Sequence, residues 1–238
     1  MGVTFEVELP GARAIFSTRV GGVSEGPYKS LNLGILTGDD PACVGENRRR
    51  LAERIGVPPE RVAMGWQVHG AELEEWSGPP ASRFSDPDAD LREVDGHITD
   101  EPGLALLVLA ADCLPVALCG GGRVAMLHCG WRGLSAGIVE RAVARFDSPP
   151  AAAVGPGIGP CCYEVGDEVL EAFSDLDGVA DARMLDLRAV VQRKLKAAGV
   201  DAIDHVDLCT SCRADLFFSH RRDGEATGRQ AGLVVRTE

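Results

Sequence analysis

Residues 104–133 read LALLVLAADCLPVALCGGGRVAMLHCGWRG, and the fold turns on them. Two apolar, β-rich runs flank Gly120-Gly121-Gly122, the composition of a hairpin turn. In an antiparallel hairpin, residues that face each other share a constant index sum. A turn centred between Gly120 and Gly121 sets that sum at 241, which pairs Cys113 with His128. Their Cβ atoms would then lie roughly 5 Å apart on one face of the sheet. A thiol and an imidazole that close serve as two metal ligands or as a nucleophile with its base. Register controls this reading, because a turn centred one residue later changes the sum by two. Cys129 alternates with His128 and reads as a core cysteine.

Outward from the hairpin, Thr4–Leu9 and residues 13–17 read as short strands. Pro41–Ile55 reads as a helix, capped by Asp39 or Asp40 and stopped by Gly56. Residues 134–146 form a second helix, with Leu134, Ile138, Val139 and Ala142 at helical spacing. A third runs over about 166–173, and a fourth over 187–198 between Asp186 and Gly199. Strands are expected at 62–66, 203–208 and 231–236, and residues 77–90 read as an exposed loop that divides nothing. There is no internal repeat and no regular βαβ beat. The expectation is α+β, a single domain over 1–238 with mixed or antiparallel sheets flanked by helices.

The chain has 238 residues, 45% hydrophobic and 25% charged, with net charge −12. That is a soluble globular composition, set against nucleic-acid and anionic-membrane partners, though a local basic pocket could still take phosphate. No run of 18 apolar residues occurs, and the acidic MGVTFEVELP start lacks a signal-peptide apolar region. Glu6 breaks the myristoylation pattern. A cytoplasmic monomer or small homo-oligomer is expected. Its eight cysteines then read as thiols, ligands or nucleophiles rather than a disulfide framework.

His69, in MGWQVHG, is one of five histidines. Alone it reads as a loop or core histidine. With Cys113 and His128 it completes three ligands and an open position, the pattern of a catalytic zinc. Asp112 reads either as the orienter of a ligand or catalytic histidine, or as a strand-end turn residue. Trp131, Arg132 and Gly133 precede the helix expected at Leu134, where backbone N–H groups can hold an anion. Cys209 and Cys212 form a C-x-x-C without a second pair at zinc spacing. The adjacent Cys161-Cys162 is not such a pair, so the motif reads as structural. GPGIGP at 155–160 matches neither nucleotide fingerprint and reads as a tight turn, with a ligand-lining loop as the alternative. Residues 17–34 are a long polar loop carrying Arg19 and Lys29, and Arg221-Arg222-Asp223-Gly224 reads as a solvated turn.

Six blocks occur in the order of a known family: STRVGGVSEGPYKSLNLG, WQVHG, VDGHITDEPGLALLVLAADCLPV, AMLHCGWRGL, GPGIGPCCYEVGDEV and FFSHRRDGEATGRQAGLV. The chain resembles the laccase-domain family, also called polyphenol-oxidase-like or YfiH-type, whose bacterial members are also known as peptidoglycan editing factor. The resemblance implies one α+β domain of mixed sheets flanked by helices. Its fold would be similar to the catalytic domain of cytotoxic necrotizing factor, a Cys/His deamidase. It implies a zinc held by His69, Cys113 and His128. It also implies purine nucleoside phosphorylase activity on adenosine, inosine, guanosine and methylthioadenosine, with adenosine deaminase activity as well. Purine nucleosides and phosphate would be the partners, and Arg19 and Asn32 correspond to a pocket-lining segment that binds substrate. Asp112 is the candidate acid for the purine leaving group.

Two alternatives use the same residues. In a Cys–His amidase acting on a peptidoglycan precursor, Cys113 is the nucleophile, His128 the base, and His69 or Asp112 the orienter. A copper-dependent polyphenol oxidoreductase fits the family's older name. However, a blue-copper centre takes two histidines and a cysteine, leaving three imidazoles for a trinuclear cluster that needs more.

Overall fold

The apolar run that opens the hairpin is buried on both faces, and this sets the layers. In the computed structural model, which describes residues 3–81, 84–86 and 91–237, Val116 and Leu118 face one core while Ala117 and Cys119 face another. Alternation of side chains across the pleat separates the two sets.

The chain begins with β1 (Thr4–Leu9) and β2 (Ala12–Ser17), then α1 (Pro41–Ile55), β3 (Val62–Ala63) and β4 (Leu73–Trp76). Next come β5 (Gly96–Thr99), β6 (Ala105–Ala110), β7 (Leu114–Gly120), β8 (Arg123–Cys129), α2 (Trp131–Ser135) and α3 (Ile138–Val143). It continues with β9 (Ala151–Val154), α4 (Asp167–Glu171), β10 (Ala180–Asp181), β11 (Met184–Leu185) and α5 (Leu187–Ala197). It ends with β12 (Ile203–His205), α6 (His220–Asp223) and β13 (Gln230–Arg236). One sheet has the order β1-β2-β13-β6-β3, another β12-β9-β7-β8-β5-β4, and β10 pairs with β11. Both large sheets are mixed: β3 runs parallel to β6, β4 to β5, and β12 to β9, while the other pairs are antiparallel. The α+β expectation with mixed sheets flanked by helices holds.

Three cores follow from this stacking. Phe16, Leu106, Val234, Ala117 and Met126 fill the space between the two large sheets. Val116, Leu127, Ile138, Val139, Val190 and Leu195 seat α3 and α5 on the outer face of one. Ile15, Leu107, Leu233, Leu51 and Ile55 seat α1 on the outer face of the other. No helix among the described residues is long and apolar enough to cross a membrane.

Helix α1 has the expected bounds. Pro41 takes the first position, Asp40 accepts the Ala42 N–H at 2.9 Å, and Gly56 ends it at φ 71°. The helix expected at 134–146 instead starts at Trp131 and breaks in two, because Gly137 adopts φ 85°. The strands expected at 62–66 and 203–208 are shorter, ending at Ala63 and His205. Of the loop at 77–90, residues 82, 83 and 87–90 lie outside the described residues.

The hairpin register differs from the expected one. Gly120 pairs with Arg123, and Gly121 (φ 56°) and Gly122 (φ 77°) make the turn. A two-residue primed turn needs positive φ at both central residues, so the second and third glycines take it and Gly120 stays in the strand. The index sum is therefore 243: His128 faces Pro115, and Leu114 faces Cys129. Cys129 lies in the core as expected.

Candidate functional site

Cys113 reaches His128 in spite of that register, because it lies just outside the strand. β7 starts at Leu114, and Asp112 before it has φ 94°. Gly130 leaves the space that the thiol fills: a Cβ there would sit 2.9 Å from Cys113 Sγ and 3.3 Å from His69 Cδ2. His69, itself at φ 61°, comes in from the loop before β4. One donor atom from each of His69, Cys113 and His128 lies within 4.8 Å of the others. The two imidazoles meet edge to face, with centroids 4.9 Å apart.

The carboxylate that orients this set is Asp95, not Asp112. Asp95 is fully buried at the start of β5. Its Oδ1 accepts the His69 N–H at 3.0 Å and lies 2.7 Å from His128 Nδ1. Its Oδ2 accepts the N–H groups of Val68 (3.0 Å) and Gly70 (2.7 Å). One side chain thus fixes the loop carrying His69 and the tautomer of His128, leaving Nε2 for the site. The expectation for Asp112 is corrected: its oxygens accept Thr210 Oγ1 at 2.6 Å and the Arg221 N–H at 2.7 Å. It ties two loops together, and with both oxygens accepting it is a poor donor to a leaving group. Sequence reasoning missed Asp95. The signal was there in VDGH, a carboxylate entering a buried strand that requires partners.

Burial disfavours charge on both Cys113 and His128, yet each stabilises the other's charged form. His128 and His69 pull the Cys113 thiol down to about 6 against the effect of burial. Cys113 and Asp95 raise His128 to about 9, again against burial. The surroundings of the thiol therefore favour its thiolate form. A thiolate and two imidazoles, one fixed by a carboxylate, suit a divalent ion such as zinc and leave one coordination position open. His69 is exposed and His128 buried, so the open side faces outward.

That side is a cavity of about 480 Å³. Trp66, Trp131 and Tyr163 supply aromatic surface, and Arg48, Arg132, Arg221 and Arg229 supply positive charge. None of these arginines joins an ion pair among the described residues, although acidic side chains outnumber basic ones 36 to 24. Arg48 is buried with Nη2 unpartnered, and its other nitrogens donate to Leu33 and Phe84 carbonyls. Arg132 lies over Trp131, and Arg221 over Tyr163. The Arg221 segment is not a solvated turn but the short helix α6, capped by Ser219. Arg132 and Trp131 lie within the first turn of α2, not before a helix at Leu134.

The structure does not bring Arg19 and Asn32 to this cavity. Arg19 donates to the Lys29 and Ala214 carbonyls and lies over Phe218. Asn32 is fully buried; its amide donates to Gly34, Thr37 and Asp39, and its oxygen accepts from Gly34 and Arg229. Both brace the 17–34 loop. Asn32 acts on the cavity through lining residues, by fixing Gly34, Thr37 and the backbone of Arg229.

The expectation that the C-x-x-C lacks a second pair is corrected. Cys209 and Cys212 meet Cys161 and Cys162, with the four Sγ atoms within 4.8 Å of one another. GPGIGP enters a turn only at its last residue, Pro160, and is the lining loop of the alternative reading. Gly157 bridges to Cys209, and Ile158 lines the cavity.

The fold and site place the chain in a defined class. Residues 13–237 match the family model described as multi-copper polyphenol oxidoreductase laccase, and the chain belongs to that family. It is 40% identical to the Escherichia coli protein named purine nucleoside phosphorylase YfiH, over 94% of this chain and 93% of that one. It is 38% identical to the Geobacillus stearothermophilus protein named purine nucleoside phosphorylase YlmD, over 96% and 91%. The crystal structure of the latter superposes with a TM-score of 0.89 over 97% of this chain and 93% of that chain. A Bacillus licheniformis hypothetical protein YfiH gives 0.89 at 33% identity, over 94% and 92%.

Proposed function

We propose that this chain is a single-domain, cytoplasmic, zinc-dependent purine nucleoside phosphorylase. The observation that carries the reading is the His69–Cys113–His128 donor set opening into a cavity that pairs aromatic surface with unpaired arginines. Relatives at about 40% identity named for this activity support it. A nucleoside needs a flat apolar surface for its base, and inorganic phosphate needs cations that no carboxylate already holds.

Zinc bound by the triad would act as a Lewis acid on an oxygen ligand. The chain's own residues do the rest. Trp66, Trp131 and Tyr163 enclose the base, and Arg132, Arg221 and Arg229 hold phosphate and lower its negative charge against the ribose. Phosphorolysis forms the C1′–O bond and breaks the bond from C1′ to the base nitrogen, whose electron pair leaves with the base. Asp95 keeps His128 in the tautomer the site requires. Adenosine, inosine, guanosine and methylthioadenosine are the substrates to test, and adenosine deamination, in which water adds at C6 and ammonia leaves, is assayed by the ammonia released.

A second reading has a specific observation behind it. Cys113, His128 and Asp95 also form a nucleophile, a base and its orienter, with the thiol's acidity increased by the imidazoles beside it. That geometry serves a Cys–His amidase acting on a peptidoglycan precursor. Copper-dependent polyphenol oxidation is disfavoured, because the described donors at the site are two histidines and one cysteine, too few for a multicopper set.

Metal content and phosphate-dependent release of base from adenosine, measured for wild type and Cys113→Ala, separate these readings. Zinc at the triad with phosphorolysis, both lost in the variant, supports the phosphorylase. Phosphorolysis that persists in fully metal-free protein overturns it. Amidase activity with an alkylatable Cys113 and no base release favours the second reading.

A further inference from the structure

We propose that Cys161, Cys162, Cys209 and Cys212 form a second metal site, a tetrathiolate that binds one zinc ion and holds one wall of the cavity in place. The geometry is that of a single ion. Four sulfurs on a tetrahedron with Zn–S bonds of about 2.3 Å are about 3.8 Å apart. Here Cys212 Sγ lies 3.5 Å from Cys161 Sγ and 3.4 Å from Cys162 Sγ, and no pair of the four exceeds 4.8 Å. A cluster of several irons would hold its thiolates farther apart. A disulfide would bring two of them to about 2.05 Å, whereas all four are free.

The surroundings suit ligated thiolates. The Gly159 N–H donates to Cys209 Sγ at 3.2 Å. Gly159 has no side chain to stand between the sulfurs and Arg188. A Cβ built there would lie 3.4 Å from Cys161 Sγ and 3.6 Å from Arg188 Nη2. Arg188 Nε is buried without a partner. Its Nη1 is ion-paired with Asp207 and its Nη2 donates to the Gly157 carbonyl, so Nε is the part of this guanidinium left to face the thiolates. The two cysteine pairs come from the segments that follow β9 and β12, strands that pair in parallel through only three residues each. An ion joining them would lock what that short pairing leaves loose.

The locked segments form part of the cavity. Ile158 and Tyr163 flank the first cysteine pair and line it. Thr210, between the second pair, donates to Asp112, whose other oxygen holds the Arg221 backbone. Arg221 in turn lies 5.0 Å over the Tyr163 ring. The proposed ion is therefore a positioning element for Tyr163 and Arg221 and touches no substrate.

The test is X-ray absorption and metal counting on full-length protein purified under reduction with zinc present, together with cobalt substitution. Wild type is expected to hold zinc with four sulfur neighbours, and its cobalt form to give the intense charge-transfer bands of four thiolates. Cys113→Ala must retain that four-sulfur signal, which separates this site from the triad. Cys209→Ser with Cys212→Ser is expected to lose one zinc per chain and the cobalt bands. It should also melt earlier and raise KM for nucleoside more than it lowers kcat. Should that double variant fail to fold, the wild-type spectrum still decides. No four-sulfur metal in wild type, with all four thiols alkylated in the presence of zinc, overturns the proposal. So does a disulfide between Cys161 or Cys162 and Cys212 in the reduced preparation.

Discussion

Replacing Asp95 by Asn tests the organisation of the triad directly. The two side chains have the same shape, but the amide has one acceptor where the carboxylate has two. In the wild type Oδ1 serves His69 N–H and His128 Nδ1, and Oδ2 serves the Val68 and Gly70 N–H groups. Whichever way the amide sits, its NH2 faces two donors. A stranded buried donor costs about 1–3 kcal/mol. If the NH2 faces Val68 and Gly70, two such donors are lost. If it faces His128, the imidazole can relieve one by switching tautomer, which moves its proton onto Nε2 and removes the lone pair a metal needs. The expected loss of stability is about 3 kcal/mol. For a chain of this size that is a fall in Tm of roughly 6–12 °C. Zinc affinity at the triad should fall by about 10–100-fold, as for other partners of metal-bound histidines. Thermal denaturation of the metal-free protein measures the first effect, and competition with a chelator the second. A variant that melts within about 2 °C of wild type and keeps its zinc affinity would refute the assignment of Asp95.

Gly130→Ala places a methyl 2.9 Å from Cys113 Sγ, at a backbone conformation (φ −83°) that alanine tolerates. It should abolish metal binding at the triad with the circular dichroism spectrum unchanged, and retained metal would contradict the thiol's position. Burial holds His97 neutral down to about 4, below its ordinary 6.5, against the opposing effect of Asp95. Between those values the unfolded chain binds a proton that the folded chain does not. Stability should therefore fall on acidification from pH 6.5 to pH 4 by about 3 kcal/mol. Urea unfolding of wild type and His97→Gln reads this, and equal slopes in that window would be the failing result. Arg132→Met should raise KM for phosphate by roughly tenfold or more, the size of one charged hydrogen bond. A KM within twofold of wild type would remove Arg132 from the phosphate site.

The parts of the fold that were legible are those fixed by local chemistry. Asp40, Pro41 and Gly56 bound α1 by capping and by the left-handed conformation of a terminal glycine, and all three effects act within one turn. Gly137 was the missed local signal: it sat inside an otherwise helical pattern, and its φ of 85° split the helix. The hairpin shows how a contact can be anticipated with the wrong register. Pairing Cys113 with His128 across the strands assumed that Gly120 belonged to the turn, whereas the turn takes Gly121 and Gly122. The contact survives because Cys113 sits beyond the strand end, opposite a glycine, where its side chain is free to cross toward His128.

What was not legible depends on which strands become neighbours. Asp95 matters only because β5 pairs with β8 and lies beside the loop of His69, a relation no local pattern encodes. The four cysteines are two motifs that look incomplete alone, since 46 residues separate Cys162 from Cys209. Zinc sites readable from sequence have their pairs within about 20 residues of each other. Parallel pairing of β9 with β12 closes that gap, and the same pairing brings Tyr163 to the cavity wall and Thr210 to Asp112, which lines it. In each case one strand pairing sets the position of a ligand or its partner. Substitutions that alter the β9–β12 pairing while leaving the four cysteines and the triad residues unchanged should therefore disturb the cavity before they disturb the cores.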